Sequence, residues 1–372
     1  MKNNRTFLEK LLDGAEVKWK PLINVASLTR GRVISKEYLA NNLGDYPVYS
    51  SQTVNNGEIG KINSFDFDGE FVSWTTDGAN AGTVFYRSGK FSITNVCGLI
   101  KIQNNLELNY KFLFYWLSIE AKNHVYSGMG NPKLMSHQME KILIPIPPLS
   151  VQTEIVKILD ALTALTSELT SELTSELTLR RKQYEYYREK LLSFDSLEQL
   201  NMGGAKKKLI DVAKIKNGKD WKHLGEGDIP IYGSGGIMGY VDTYSYDKPT
   251  VLIPRKGTIT NIFYLEEPFW NVDTIYYTEI DTTQILPKYF YHFMKTVDLT
   301  KLDTGSGRPS LTQAILNEIP IFVPSIKEQQ RIVSILDKFE TLTNSITEGL
   351  PLAIEQSQKR YEYYRELLLD FS

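Results

Sequence analysis

Cysteine is nearly absent. Cys97 is the only one in 372 residues, which excludes a disulfide framework and any metal centre built from several thiolates. No apolar run reaches 18 residues, so no transmembrane helix is expected. The polar stretch Met1 to Glu9 carries no signal-peptide core, which predicts a cytoplasmic protein. An excess of either charge is also missing: 42 Lys+Arg face 44 Asp+Glu, a net charge of −2. A uniformly basic nucleic-acid coat is excluded, and any DNA contact must use local patches. Histidine is sparse. His124, His137, His223 and His292 are scattered, with no partner at metal-ligand spacing. No Walker phosphate loop and no H-E-x-x-H occurs.

What is present is written twice. Ile142 to Pro147 (Ile-Leu-Ile-Pro-Ile-Pro) lines up with Ile319 to Pro324 (Ile-Pro-Ile-Phe-Val-Pro), 177 residues later. The same offset pairs Gln152 with Gln329, Ile158-Leu159-Asp160 with Ile335-Leu336-Asp337, and Tyr184 to Glu189 with Tyr361 to Glu366. No gap is needed over this stretch. Upstream, Gly128 to Leu134 still meets Gly305 to Leu311 at 177, but Tyr46 to Ser51 meets Ile229 to Ser234 at 183, and Leu22 meets Leu209 at 187. Each copy thus has a divergent front and a nearly fixed back. Such a pattern predicts one shared scaffold carrying two surfaces that do the same job on different targets.

The backs read as long helices. Glycine and proline are absent from Val151 to Phe194, and apolar residues recur at helical spacing from Ile155 to Leu177. The centre repeats Thr-Ser-Glu-Leu from Thr166 to Leu177. A four-residue period drifts about 40° per repeat, so the leucine stripe winds around the rod. Leu165, Leu169, Leu173 and Leu177 fall on Leu342, Ile346, Leu350 and Ile354, which predicts paired rods in an intramolecular coiled coil. Closure of a duplicated unit about a pseudo-two-fold axis makes them antiparallel. Gly349 and Pro351 predict a kink or short break in the second rod.

The fronts read as mostly β. Tyr46–Tyr49, Phe71–Trp74, Thr83–Tyr86 and Val96–Ile102 are strand-like in the first copy. Ile229–Tyr232, Val251–Ile253, Ile259–Tyr264 and Thr274–Ile280 are their counterparts. One aromatic helix follows in each, Tyr110–Asn123 and Lys288–Thr296. Proline segments Pro145–Pro148 and Pro320–Pro324 then join front to rod and are expected to stop strands from continuing. The predicted fold is α+β: two mixed, mostly β domains separated by a pair of long antiparallel helices, in a pseudo-two-fold tandem repeat. The predicted boundaries are 1–147, 148–196, 197–324 and 325–372.

No catalytic motif survives in both copies. Gly233-Ser234-Gly235-Gly236 lacks the strand and helix of a dinucleotide site. Asn131-Pro132 resembles the start of the Asn-Pro-Pro-Tyr motif of adenine methyltransferases, but Lys133-Leu134 follows and the other copy has Arg308-Pro309-Ser310, so it is rejected. Cys97 has no basic surroundings in sequence and reads as a buried neutral thiol. Binding chemistry remains. Residues 203–256 hold ten Lys and Arg against six Asp and Glu, Lys219 among them. Arg308 and Ser310 sit in a glycine-rich loop suited to phosphate or base-edge contacts, and its counterpart offers Asn131 and Lys133. Arg255-Lys256 and Thr75-Thr76 occupy matching turns. These nine are the candidate DNA-binding residues.

The Ile-x-Ile-Pro-x-Pro segments, the tetrapeptide repeat and Arg181 to Leu192 (Arg-Lys-Gln-Tyr-Glu-Tyr-Tyr-Arg-Glu-Lys-Leu-Leu) resemble the specificity subunit of Type I restriction–modification systems. The resemblance covers the whole chain and implies two target-recognition domains, each followed by a conserved helical spacer. It implies a non-catalytic subunit that binds double-stranded DNA and recruits two modification (methyltransferase) subunits and, through the complex, restriction subunits. S-adenosylmethionine, ATP and Mg are then expected on those partners, with no cofactor or metal on this chain and no membrane contact. Docking of the modification subunits is expected at Tyr184, Tyr186, Tyr187 and Arg188 and at their copies Tyr361, Tyr363, Tyr364 and Arg365. The competing reading is a coiled-coil scaffold with two protein-binding end domains.

Overall fold

Strand-forming runs interrupted by glycine and asparagine turns build two units, Met1–Thr170 with Gln356–Ser372, and Ser171–Glu355. The computed structural model describes residues 6–128, 130–193, 195, 197, 204–303, 309–345 and 348–371. In the first unit, chain order runs α1 (Phe7–Leu12), β1 (Lys18–Pro21), β2 (Ala26–Arg30), α2 (Lys36–Asn41), β3 (Leu43–Tyr49), β4 (Glu58–Ile62), β5 (Phe67–Thr75), β6 (Val84–Ile93) and β7 (Cys97–Ile102). Then come α3 (Tyr110–Glu120), α4 (Ser136–Met139), β8 (Leu143–Ile146) and α5 (Leu149–Leu192). Six strands form one sheet in the order β2-β7-β5-β6-β3-β4. Alternation along β5 to β7 puts Val72, Trp74 and Ile100 into a core against Phe112, Leu113 and Leu117 of α3. Cys97 is buried at 3% exposure, and burial pushes its thiol up to about 11, as a neutral core thiol requires.

The second unit repeats the plan with a smaller sheet. Its elements are β9 (Ala205–Lys208), α6 (Leu209–Val212), β10 (Ala213–Lys216), β11 (Ile229–Gly233), β12 (Gly236–Val241), β13 (Thr250–Pro254), β14 (Phe263–Leu265), β15 (Trp270–Asn271) and β16 (Ile275–Ile280). They continue as α7 (Pro287–Met294), α8 (Gln313–Asn317), β17 (Pro320–Val323), α9 (Ile326–Asn344) and α10 (Leu350–Leu369). Here the sheet is divided into β10-β16-β13-β14 and β12-β11-β15. The strand expected over Ile259–Tyr264 shrinks to β14.

One expectation about proline is corrected. Pro145 and Pro320 do not stop strands; they lie in β8 and β17, which pair antiparallel with β1 and β9. In a two-stranded ribbon every second N–H points away from the partner, so a residue without one is tolerated.

The joint between front and helix is the same in both units. Gln152 and Gln329 are completely buried. Gln152 accepts from Asn109 N (2.9 Å) and donates to the carbonyls of Glu107 (2.8 Å) and Pro147 (2.9 Å). Gln329 accepts from Leu286 N (2.7 Å) and donates to Gln284 O (3.0 Å) and Pro324 O (2.9 Å). About two turns further, Asp160 accepts from Lys111 (2.5 Å) and Tyr115 (2.7 Å), and Asp337 from Lys288 (2.8 Å) while bonding His292 Nε2 (2.9 Å).

Helix α5 is continuous over 44 residues. The second rod is broken, as Gly349 and Pro351 predict: α9 ends at Asn344 and α10 starts at Leu350. Within the first unit, Ile155 and Leu159 share a core with Leu368 and Leu369, and Thr163 donates to Tyr361 OH (3.1 Å). Within the second, Arg181 donates to Thr343 O (3.5 Å) and Tyr184 and Tyr187 pack on Phe339. Both pairings run antiparallel. The expected leucine seam is only partly closed: Leu165 is 63% and Leu169 43% exposed. The four-residue period rotates the stripe away from the partner helix. Ile346 lies outside the described residues, and among those described no helix is long and apolar enough to cross a membrane.

Candidate nucleic-acid interface

The turn after β5 and the loop before α4 form one element in the first unit. Gly78 N donates to Pro132 O (3.0 Å) and Leu134 N to Thr76 O (2.9 Å), while Tyr126 and Lys133 exchange backbone bonds of 2.8 and 3.0 Å. Gly78 has φ +91°, a conformation open to glycine. The loop is anchored beneath by buried Trp74, whose Nε1 donates to Leu134 O (2.9 Å). Asn131 and Lys133 are left with exposed side chains. Thr75 and Thr76 are not: both are fully buried. The Thr75 hydroxyl donates to Asn80 O, and that of Thr76 to Asp77 Oδ2 (2.7 Å). Their polarity is consumed in holding the turn, so direct DNA contact by these two does not fit. Arg30, at the end of β2, is a cation the sequence did not single out. It donates to Asn95 O (2.8 Å) and lies 3.8 Å from the Asp77 carboxylate.

The second unit builds the same element from different residues. Gly257 N donates to Pro309 O (3.3 Å) and Leu311 N to Arg255 O (2.8 Å), and Lys256 bridges Ser310. These bonds occupy the positions of Gly78 to Pro132, Leu134 to Thr76 and the Asp77–Lys133 bridge. Half-buried Arg255 lies over the Tyr276 ring (5.9 Å) and donates to Asp273 O (3.4 Å); exposed Lys256 is 3.8 Å from the Asp273 carboxylate. Alongside runs a cleft of about 610 Å³ lined by Lys219, Trp221, Lys222, Ser234, Met238 and Asp273. Lys219 is exposed, and its backbone is fixed by Asn271 O (2.9 Å) and Trp270 Nε1 (3.2 Å). The structure therefore brings Lys219, Arg255, Lys256 and Ser310 together. Arg308 lies outside the described residues.

A second shared device was missed in the sequence. Asn80 Nδ2 donates to Ser51 O and Asn261 Nδ2 to Ser234 O, both at 3.1 Å. Each ties the tip of a hairpin, β3–β4 or β11–β12, to the turn that follows. The signal was available, because 181 residues separate the two asparagines, between the offsets of 177 and 183 found on either side.

The candidate docking residues split by face. Tyr184 is buried; desolvation pushes it up to about 12, and its hydroxyl meets His292 Nδ1 (3.3 Å). Tyr361 is half-buried against Thr163. Arg188 lies over the Tyr184 ring (5.2 Å) and Arg365 over that of Tyr361 (5.6 Å). Tyr186 (57% exposed) and Tyr187 form an edge-on pair at 5.4 Å, repeated at 5.4 Å by Tyr363 (62% exposed) and Tyr364. Tyr184 and Tyr361 pack inward, Tyr187 also stacks on Phe339, and Tyr186 and Tyr363 are the most open members.

His292, Asp337 and Glu340 bring potential metal-ligand atoms within 4.8 Å of one another. Lys288 already bonds Asp337 (2.8 Å), Tyr291 bonds Glu340 (2.9 Å) and Tyr184 meets His292. An ammonium at the carboxylate makes this a packed hydrogen-bond network.

The family model for the Type I restriction modification DNA specificity domain matches residues 15–179 and again 203–356. A protein named as a type I restriction enzyme specificity subunit in Haemophilus influenzae is 44% identical over 397 residues, with all of both chains covered. A type I specificity subunit of Mycoplasma pneumoniae is 34% identical over 96% of this chain and 98% of its own. Among solved structures, the S subunit from M. genitalium aligns at TM-score 0.53 and 21% identity, covering 99% of this chain and 96% of that one. A chain from a study of type I restriction–modification complex assembly aligns at TM-score 0.68 and 15% identity, covering 96% and 97%; at such identities these two show a common fold. With the specificity-domain model matching twice in tandem and full-length relatives at 34 and 44% identity, the chain belongs to the Type I restriction–modification specificity subunit family.

Proposed function

We propose that this chain is the non-catalytic reader of a Type I restriction–modification complex, each unit recognising one half of a bipartite double-stranded DNA target. One observation carries the reading: both units build the same two-loop element with matching backbone bonds, yet present different side chains on it, Asn131 and Lys133 in one and Arg255, Lys256 and Ser310 in the other. A fixed frame with exchanged contacts is what two half-sites of unlike sequence require, since backbone geometry sets position and side chains select bases. The helices set the gap between the half-sites, and the exposed tyrosine pairs dock two modification subunits. Methylation with S-adenosylmethionine, and ATP- and Mg-dependent restriction, belong to partner subunits in the cytoplasm.

Adding or deleting one Thr-Ser-Glu-Leu unit changes α5 by about 6 Å, against about 3.4 Å per base-pair step. The methylated motif of a host carrying the variant with its partners is expected to change its gap by one or two base pairs with both half-sites intact. An unaltered gap would count against the helices as the ruler.

A further inference from the structure

The β3–β4 hairpin of the first unit ends in a tip that is held as firmly as a core element yet points nothing inward. Asn55 (φ 51°, ψ 43°) and Asn56 (φ 53°, ψ 27°) are consecutive left-handed residues, followed by Gly57 at φ +80°. Successive left-handed residues make the tight turn of a hairpin, and asparagine is the non-glycine residue that tolerates them best. The turn is fixed from beneath by Arg87, 2% exposed. Its Nη1 donates to Asn56 O (2.8 Å), its Nε to Ser73 Oγ (3.0 Å), and its guanidinium lies over Tyr49 (3.6 Å). Asn80 holds Ser51 O from the other side, linking the hairpin to the turn after β5, which is itself bonded to the loop carrying Asn131 and Lys133. What the tip offers outward is Val54, 75% exposed, and the exposed carboxamides of Asn55 and Asn56, which hydrogen-bond to none of the described residues.

The second unit has no such tip. Its hairpin turns through Ser234 and Gly235, and its exposed side chains are Ile237, Met238 and Tyr240. The element is thus held by the same asparagine in both units but differs in length and chemistry.

The β3–β4 hairpin forms the edge of the six-stranded sheet, and its loop, residues 50–57, carries the tip beyond the paired strands. In the major groove of B-DNA a carboxamide pairs bidentately with adenine N6 and N7, and an apolar side chain covers the methyl group of thymine. We propose that the Val54–Asn56 tip is a specificity-determining element that reads an A·T pair in the half-site of the first unit. Asn55 and Asn56 supply the amide contact and Val54 the thymine contact. This rests on the DNA-reading role above and names the residues and the base pair.

The test is the methylated motif of a host carrying the full chain with its modification and restriction subunits. Asn55→Gly with Asn56→Gly keeps the left-handed backbone and removes both carboxamides. It should loosen one or two A·T positions of a single half-site, with discrimination there falling about tenfold, while the other half-site and the gap stay fixed. Asn55→Asp with Asn56→Asp keeps the shape but accepts only, and should move preference at that position from adenine toward cytosine. An unaltered motif in both variants, or equal relaxation of both half-sites, overturns the assignment of the tip. A wild-type chain that directs no bipartite motif would instead bring down the DNA-reading role itself.

Discussion

At the scale of single residues, the two units are fastened to their helices by a few buried polar side chains. Gln329→Leu leaves Leu286 N and two carbonyls without partners inside the protein. It is expected to cost about 3 kcal/mol, read by denaturant unfolding, whereas an exposed neighbour such as Lys327 should be neutral. Asp337 gives a pH signature. Burial alone would raise its carboxyl, but hydrogen bonds from His292 and Lys288 outweigh that and hold it below the usual carboxylate range. A carboxylate depressed in the folded state stabilises above its unfolded pKa of about 3.9 and loses that contribution as the pH falls through the folded value. Asp337→Asn should therefore be less stable than the parent at neutral pH, with the difference shrinking on acidification below about pH 4. The identity of these residues was visible in the sequence, since Gln152 and Gln329 align, but their role was not. Their partners, such as Glu107 and Gln284, are 45 residues away in the chain. Thr75 and Thr76 looked like surface hydroxyls for a different reason: their partners, the Asn80 carbonyl and the Asp77 carboxylate, are close in the chain, but the burial of both threonines is set by the fold.

At the scale of elements, the helix break is the feature most directly encoded. Gly349 sits at φ +85°, and a Cβ there would come within 2.7 Å of Thr341 O and 2.8 Å of Leu342 O. Gly349→Ala is expected to destabilise the protein by at least about 1 kcal/mol in thermal or denaturant unfolding. Where the sequence carries its own periodicity, as in α5, or its own breaker, as here, the element can be read directly. Where an element exists only through a distant partner, it cannot. Strands β8 and β17 hold prolines that argue against a strand, and only their pairing with β1 and β9 makes them one. The hairpin tips are equally hidden, because they differ in length and lie where the repeat offset drifts, from 183 before them to 181 at the asparagine that follows. The loop pairs were each found in sequence as separate clusters; that they are one element follows from backbone bonds no side-chain pattern records.

At the scale of the whole molecule, duplication extends to the outer helix faces. Tyr186 and Tyr363 are open at equivalent places, so Tyr186→Ala with Tyr363→Ala should fold normally by circular dichroism yet fail to co-purify with modification subunits. Retained co-purification would leave the tyrosine pairs without that role. One further property follows from where the core of the first unit gets its members. Leu368 and Leu369 belong to it, and Phe371 packs edge-on to Phe112 at 6.0 Å, although more than 240 residues separate them from that ring in the chain. On the ribosome, the half synthesised earliest must wait with an open flank until the last turn of α10 emerges, whereas the half made later has all its parts sooner. Order of translation and order of completion are reversed.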